Sequence, residues 1–160
     1  MENNNNILPS PKKSIQILSI IHLVLSLGII FFGTIVYLQV SETNFDISKT
    51  DDTFFYLVPI LAIGGIWVSN FLFNQKINEI PKNTTLIEKL AAYQTASIIK
   101  YALLEGPAFL GIIAFMEDGN LLYLLISGLL VLYLFYQKPT KDKIEIDLNL
   151  SEEQKYQLNK

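Results

Sequence analysis

Three ionisable side chains lie inside apolar stretches of the sequence, and they are the residues best placed to do chemistry. They are His22, Lys100 and Glu105. An ionised side chain at the centre of a bilayer costs about 2.5–3.5 kcal/mol on insertion scales, so such residues mark helix contacts or proton and ion pathways. We expect Glu105 to be a neutral carboxylic acid unless His22 or Lys100 pairs with it. Together the three form a candidate intramembrane polar site.

His22 and Lys100 each have a structural interpretation. For His22 it is a neutral imidazole hydrogen-bonded to a neighbouring helix, and the alternative is proton transfer. Lys100 lies about one turn inside its apolar stretch, where its stem can extend back so that the amine reaches the membrane surface.

Glu105 is followed by Gly106 and Pro107, and this predicts a helix kink. Pro107 cannot donate a backbone hydrogen bond to Leu103, and its ring disfavours a helical conformation at Gly106. A protonated Glu105 could donate to a carbonyl freed by that kink. Glu105 therefore either stabilises the kink through this hydrogen bond or carries an ion near the bilayer midplane.

The composition excludes most other chemistry. The chain has no cysteine, which removes disulfides, thiol catalysis and cysteine metal sites. All twelve basic residues are lysine, so bidentate arginine clamps for phosphate are missing and no nucleic-acid partner is expected. The sequence carries no phosphate-loop, dinucleotide, zincin or nucleophile-elbow motif. His22 and Glu105 are too few to ligate a metal, so we predict no metal site. Because the sequence also has no catalytic motif, we predict a protein with no enzymatic activity and no cofactor.

Four apolar stretches make up more than half of the chain, and each approaches the length of a bilayer-spanning helix. We predict an all-α, polytopic membrane protein, an antiparallel bundle of four transmembrane helices. The predicted spans are residues 15–40, 54–73, 96–116 and 121–137. Residues 1–14 are expected to be a disordered cytoplasmic tail, and residues 138–160, here called the C-terminal tail, a second cytoplasmic segment that is a candidate for lying on the membrane surface.

The lysines lie mostly on one side of these spans. Ten flank the N-terminus, the connection between spans two and three, or the C-terminal tail: Lys12, Lys13, Lys76, Lys82, Lys89, Lys138, Lys141, Lys143, Lys155 and Lys160. Lys49 alone lies on the other side. Positive residues next to spans stay in the cytoplasm, so we expect a multi-pass inner (plasma) membrane protein with both termini cytoplasmic.

Small and polar residues predict where the helices touch. On helix one a stripe through Ile15, Ser19, His22, Ser26, Ile29, Gly33 and Tyr37 follows helical spacing. On helix three the pairs Ala92/Ala96 and Ala102/Gly106 have the small-xxx-small spacing of close packing, so this helix is expected at the centre of the bundle or at a subunit seam. Asp52 can cap helix two, and residues 117–120 form a tight turn.

The C-terminal tail alternates apolar residues (Ile144, Ile146, Leu148, Leu150) with polar ones. This period-two pattern favours a segment that lies on the membrane surface, the alternative being a docking edge. Ser151 and Gln154 have the spacing of a capping box that opens a short helix.

Residues 102–114, Ala-Leu-Leu-Glu-Gly-Pro-Ala-Phe-Leu-Gly-Ile-Ile-Ala, resemble the carboxylate helix of the rotary ATPase proteolipid (c) subunits. There a mid-membrane glutamate among small residues carries the proton or sodium ion. The likeness is confined to this helix, because helix two lacks the glycine ladder of that family and has only Gly64 and Gly65.

The whole chain resembles the small four-helix inner-membrane proteins of unknown function found in some bacteria. In these a Leu-Glu-Gly-Pro-like segment precedes a leucine-rich last span and a Pro-Thr-Lys tail, which here are residues 104–107 and 139–141. The resemblance implies the four-helix fold and brings no assigned activity or site.

Two functions follow from these features. The first is an accessory or assembly subunit of a membrane complex, whose partners are the lipid bilayer and other membrane subunits or a second copy of itself. The second is a small proton- or ion-coupled transporter that uses Glu105. An intramembrane enzyme has the weakest support, because Glu117 and Asp118 belong to a turn.

Overall fold

The computed structural model describes residues 10–48, 51–81 and 83–159, and these contain six helices. They are α1 (Pro11–Gln39), α2 (Thr53–Asn78), α3 (Leu86–Asp118), α4 (Leu121–Tyr136), α5 (Lys141–Asp147) and α6 (Glu152–Asn159). Those residues contain no β-strand, and a single isolated bridge joins Asn44 to Asn120. The prediction of an all-α protein is confirmed. Lys49, Lys82 and Lys160 and the first nine residues of the predicted N-terminal tail lie outside the described residues.

Three helices, α1, α2 and α3, are each long and apolar enough to cross a membrane. The fourth candidate is α4 together with α5, which bend by 82° at the break between them. With 16 residues α4 is about 24 Å long, slightly short of the ~30 Å hydrocarbon layer. The prediction of several helices long and apolar enough to cross a membrane is confirmed, with three such helices, or four if α4 and α5 together form one span.

Helix ends follow local capping chemistry. The first helix begins at Pro11, four residues before the predicted span, because Ser10 accepts a hydrogen bond from the Lys13 amide and proline suits the first helical turn. Asp52 caps α2 as predicted, with its carboxylate 2.9 Å from the Phe54 nitrogen. The tight turn at residues 117–120 is confirmed, since Gly119 ends α3 in the left-handed region with φ of 67°.

The third helix contacts α1, α2 and α4, which confirms the prediction that it lies at the centre of the packed helices. Glycines allow these close approaches. A Cβ on Gly65 of α2 would lie 2.8 Å from the Leu103 carbonyl oxygen, and one on Gly111 would overlap Ser127 and lie 3.0 Å from the Tyr123 carbonyl oxygen. The predicted pair Ala102/Gly106 does not make these contacts, because both residues are exposed.

The polar stripe of α1 packs against α3 and α4, as predicted. His22, Ser26 and Ile29 are buried, and a Cβ on Gly33 would lie 3.3 Å from the Ile112 side chain. Tyr37 is half exposed, although its ring stacks on Phe115.

The C-terminal tail folds back on the start of α3, at what we call the lysine-rich end: residues 10–14, the α2–α3 connection and the tail. The helix α3 opens there with a capping box between Thr85 and Glu88, and Leu86, Leu90 and Tyr93 are buried. The predicted capping box of α6 is confirmed by the reciprocal hydrogen bonds between Ser151 and Gln154, both 3.3 Å.

The period-two interpretation of the tail is wrong. Residues 141–147 form α5, and in a helix Ile144 and Leu148 fall on one face while Ile146 points away. Ile144 is fully buried and Ile146 is 77% exposed. The alternation in the sequence therefore reflects one helical face followed by a turn that buries Leu150.

Candidate intramembrane polar site

His22 is held by the end of α4. Its ring is 2% exposed, and Nε2 donates to the Leu134 carbonyl oxygen at 2.7 Å. That carbonyl belongs to the last turn of α4 and also accepts from the Gln137 backbone nitrogen at 2.9 Å. The expected hydrogen bond to a neighbouring helix is therefore present, and the ring also packs edge-on against Tyr101 at 5.0 Å between centroids.

Lys100 is more buried than predicted. Its side chain is 6% exposed, and Nζ lies 4.6 Å from the centre of the Phe73 ring on α2, a cation–π contact. Phe73 in turn packs edge-on against Tyr93. The amine points back along α3 as expected, but it ends beneath α2 rather than in open water.

Glu105 lies on the face of α3 that turns toward α1. These two helices run in the same direction, because His22 lies beside Tyr101 and, eleven residues further along each helix, Gly33 lies against Ile112. Glu105, one turn after Tyr101, is thus at the level of Ser26. Its side chain is half-buried, and among the described residues it has no hydrogen-bond or ion-pair partner.

The structure does not bring the three predicted residues together. Lys100 and Glu105 are five positions apart, so they point about 140° away from each other around the helix axis. His22 is committed to Leu134, and Lys100 lies over Phe73. Neither is paired with Glu105.

Gly106 and Pro107 lie within one uninterrupted helix, α3. The Leu103 carbonyl, which Pro107 leaves without a donor, faces Gly65 of α2. Leu103 and Glu105 lie on nearly opposite sides of the helix, since two residues turn it by about 200°. The Glu105 carboxyl group therefore does not hydrogen-bond to the Leu103 carbonyl oxygen, which the backbone of α2 covers at Gly65.

A ladder of hydroxyl groups on α3, which the sequence reasoning missed, precedes Glu105. Tyr93, Ser97 and Tyr101 follow one another at four-residue spacing, and Glu105 is the next step. The Tyr93 hydroxyl donates to Asp147 of α5 at 3.0 Å, and Tyr101 donates to the Gln137 carbonyl oxygen at 3.4 Å. Ser97 lies between the two phenols on the same face of the helix and is buried. The regular four-residue spacing of these hydroxyl residues in the sequence could have identified the ladder.

No family model, curated protein or solved structure matches this chain. Within the described ranges, no group of three or more His, Asp or Glu side chains is arranged to hold a metal ion.

Proposed function

We propose that this chain is a non-catalytic inner-membrane protein, four antiparallel transmembrane helices with both termini in the cytoplasm, and an accessory or assembly subunit of a larger membrane complex. In this arrangement it belongs with the small bacterial four-helix proteins that it resembles. The segregation of the lysines supports the orientation, because ten of the twelve flank the same ends of the helices.

One observation carries the subunit proposal: a half-buried acid without a partner that lies next to exposed small residues of α3. Glu105 has no partner among the described residues, and Ala102 and Gly106 beside it are exposed. Lipid tails offer a carboxyl group no hydrogen bond, whereas a polar side chain on another transmembrane helix does. Small residues let that helix approach closely. This surface of Glu105, Ala102 and Gly106, here called the α3 edge, is the proposed contact with the complex.

Gly106→Leu is expected to remove the partner without unfolding the chain. A Cβ at Gly106 would have no atom within 4 Å, so leucine fits the isolated chain but blocks the approach of a second helix. Extraction in mild detergent followed by mass determination should give a defined larger assembly for the unmodified protein. Recovery of the partner should fall at least about tenfold in the variant, which corresponds to about 1.4 kcal/mol.

Gly128→Leu is the matched control, because Gly128 of α4 is equally open but lines a cleft with residues of α1 that includes no residue of the α3 edge. It should keep the assembly. Extraction of the unmodified protein as a monomer, or equal loss of partner in both variants, would contradict the proposal.

The second candidate is a proton- or ion-coupled transporter, and the hydroxyl ladder is the observation that favours it. Tyr93, Ser97 and Tyr101 lead from Asp147 at the lysine-rich end toward Glu105 near the predicted midplane. Such a row can pass protons between carboxyl groups. However, the Tyr101 hydroxyl is directed at Gln137, away from Glu105, which is why we place this function second.

Proteoliposomes separate the two candidates. We expect the purified chain to dissipate a pH gradient no faster than empty vesicles do, and Glu105→Gln to leave that rate unchanged. A flux that the unmodified protein carries, and that Glu105→Gln and Tyr101→Phe both abolish, would establish the transporter instead. Tyr37→Phe is the control for loss of a phenol, since Tyr37 lies outside the ladder and its ring is half exposed.

A further inference from the structure

Two exposed apolar side chains lie on the connection between α1 and α2, in residues 44–48, which we call the loop segment. Phe45 is 60% exposed and Ile47 is 66% exposed. Within the described ranges no other large apolar side chain outside the helices is exposed. Fully removing such a side chain from water is worth about 1.5–3 kcal/mol, so an apolar surrounding would stabilise the pair.

Hydrogen bonds fix the loop segment to the turn between α3 and α4. The Asn44 nitrogen donates to the Gly119 carbonyl oxygen at 3.0 Å, and the Leu121 nitrogen donates to the Asn44 carbonyl oxygen at 2.8 Å. The fully buried side chain of Asn120 exchanges two hydrogen bonds with the Asp46 backbone, at 2.7 and 3.3 Å. The two apolar side chains are therefore held in place rather than carried on a free loop.

The one charged residue of the loop segment is hydrogen-bonded within the loop. Asp46 is half-buried, and its carboxylate accepts from the backbone nitrogen and the hydroxyl of Ser48, at 2.8 and 2.6 Å. Phe45 and Ile47, on either side of this residue, are left facing outward.

The turn that holds the loop segment lies at the edge of the hydrocarbon layer when α3 spans a bilayer. From Ala96, where the predicted span begins, to Asp118, its last residue, α3 rises by about 33 Å. The hydrocarbon layer is about 30 Å thick, and the headgroups lie immediately outside it. Because Asn44 is bonded to the residue that follows Asp118, the loop segment lies at the level of that boundary.

The neighbouring end of α1 has the composition of a membrane interface. Tyr37 is half exposed with its ring stacked on Phe115, and Leu38 beside it is exposed. Tyrosine is enriched where the hydrocarbon layer meets the headgroups. Phe115 precedes Gly119 by four residues, so Tyr37 lies about 6 Å nearer the bilayer centre than the loop segment does.

The loop segment also adds apolar surface to the shortest of the four predicted spans. With 16 residues α4 is about 24 Å long, less than the thickness of the hydrocarbon layer. Each ångström of such a mismatch costs a fraction of a kcal/mol. Leu121, the first residue of α4, is bonded to Asn44, so Phe45 and Ile47 lie beside one end of this short helix.

We propose that Phe45 and Ile47 insert into the interfacial layer of the bilayer, on the side opposite the lysine-rich end, and hold the loop segment on the lipid. The lipid need not be anionic, because acidic residues outnumber Lys49 in this connection: Glu42, Asp46, Asp51 and Asp52. The inference rests on the proposed membrane arrangement and not on the subunit role, since Gly119 is about 21 Å along α3 from Glu105.

The test uses the full chain in phosphatidylcholine vesicles, with its single tryptophan as the reporter. Trp67 lies in the predicted second span and is 68% exposed, so lipids brominated on their acyl chains should quench its fluorescence. Phe45→Trp in a Trp67→Phe background then places the reporter on the loop segment. We expect its emission to shift to shorter wavelength, lipids brominated close to the headgroup to quench it, and soluble acrylamide to quench it severalfold less than in the control.

Ser48→Trp in the same background is the matched control, because Ser48 is exposed on the same loop segment but directs its side chain at Asp46. Its fluorescence should be open to acrylamide and insensitive to brominated lipid. Equal quenching by brominated lipid at both positions, or a Phe45→Trp reporter open to acrylamide while Trp67 is quenched by lipid, would overturn the anchor and leave the membrane arrangement standing. A Trp67 that brominated lipid does not quench would contradict the membrane arrangement itself.

Discussion

Replacing Gly111 with alanine is expected to lower the free energy of unfolding by about 1–3 kcal/mol, the usual cost of forcing extra atoms into a packed core. The new methyl group would overlap the Ser127 hydroxyl and lie 3.0 Å from the Tyr123 carbonyl oxygen. Ser127 hydrogen-bonds to the Ala108 and Tyr123 carbonyl oxygens, both at 2.9 Å. Moving Ser127 aside therefore strains the α3–α4 contact and breaks a buried hydrogen bond.

Gly106→Ala is the matched control for this prediction. It makes the same change in the same helix, but nothing lies within 4 Å of the added methyl group. Alanine is a better helix former than glycine by up to about 1 kcal/mol, so this variant should be as stable as the unmodified protein or more stable. Thermal unfolding in detergent, followed by circular dichroism, measures both. Equal loss of stability in the two variants would mean that α4 does not pack on Gly111.

These two glycines also show what the sequence could predict about the fold. Hydropathy located the long helices, and the high content of small residues predicted that α3 is central. The spacing rule then selected Ala102 and Gly106, whereas the contacts with α4 and α1 are made by Ala108, Gly111 and Ile112. Both sets have helical spacing, and only the positions of the other helices decide which face is covered.

The candidate site was predictable residue by residue but not as an arrangement. His22 was recognised as a hydrogen-bonding residue on a contact stripe, although its partner is a backbone carbonyl, which no sequence pattern encodes. The separation of Lys100 and Glu105 around the helix follows from their five-residue spacing alone. The burial of Lys100 could not be foreseen, because it depends on how α2 places Phe73 over this part of α3.

That tail is the part of the molecule where the pattern in the sequence was misleading. Ile144 and Ile146 occupy equivalent positions in an alternating pattern, and a segment lying on lipid would bury both. In α5 they lie about 200° apart around the axis, so one is buried in the protein and the other faces outward. The two isoleucines are therefore a direct test of whether the tail is docked on the protein.

Ile144→Ala is expected to release the tail, whereas Ile146→Ala should leave it in place. Ile144 is fully buried, and truncating such a side chain costs about 2–5 kcal/mol, so the detached state of the tail should become at least about thirtyfold more populated. Ile146 is 77% exposed, and its truncation should change the same equilibrium by less than about 0.5 kcal/mol, or roughly twofold.

Limited trypsin digestion measures this difference, because Lys141, Lys143 and Lys155 lie in the tail. When opening and closing are fast, the rate of cleavage follows the population of the open form. The Ile144→Ala variant should be cut at these lysines at least about thirtyfold faster than the unmodified protein, and Ile146→Ala at nearly the same rate as it. Equal acceleration in both variants would show that the two isoleucines are bound alike, as on a membrane surface, and would contradict the docked tail.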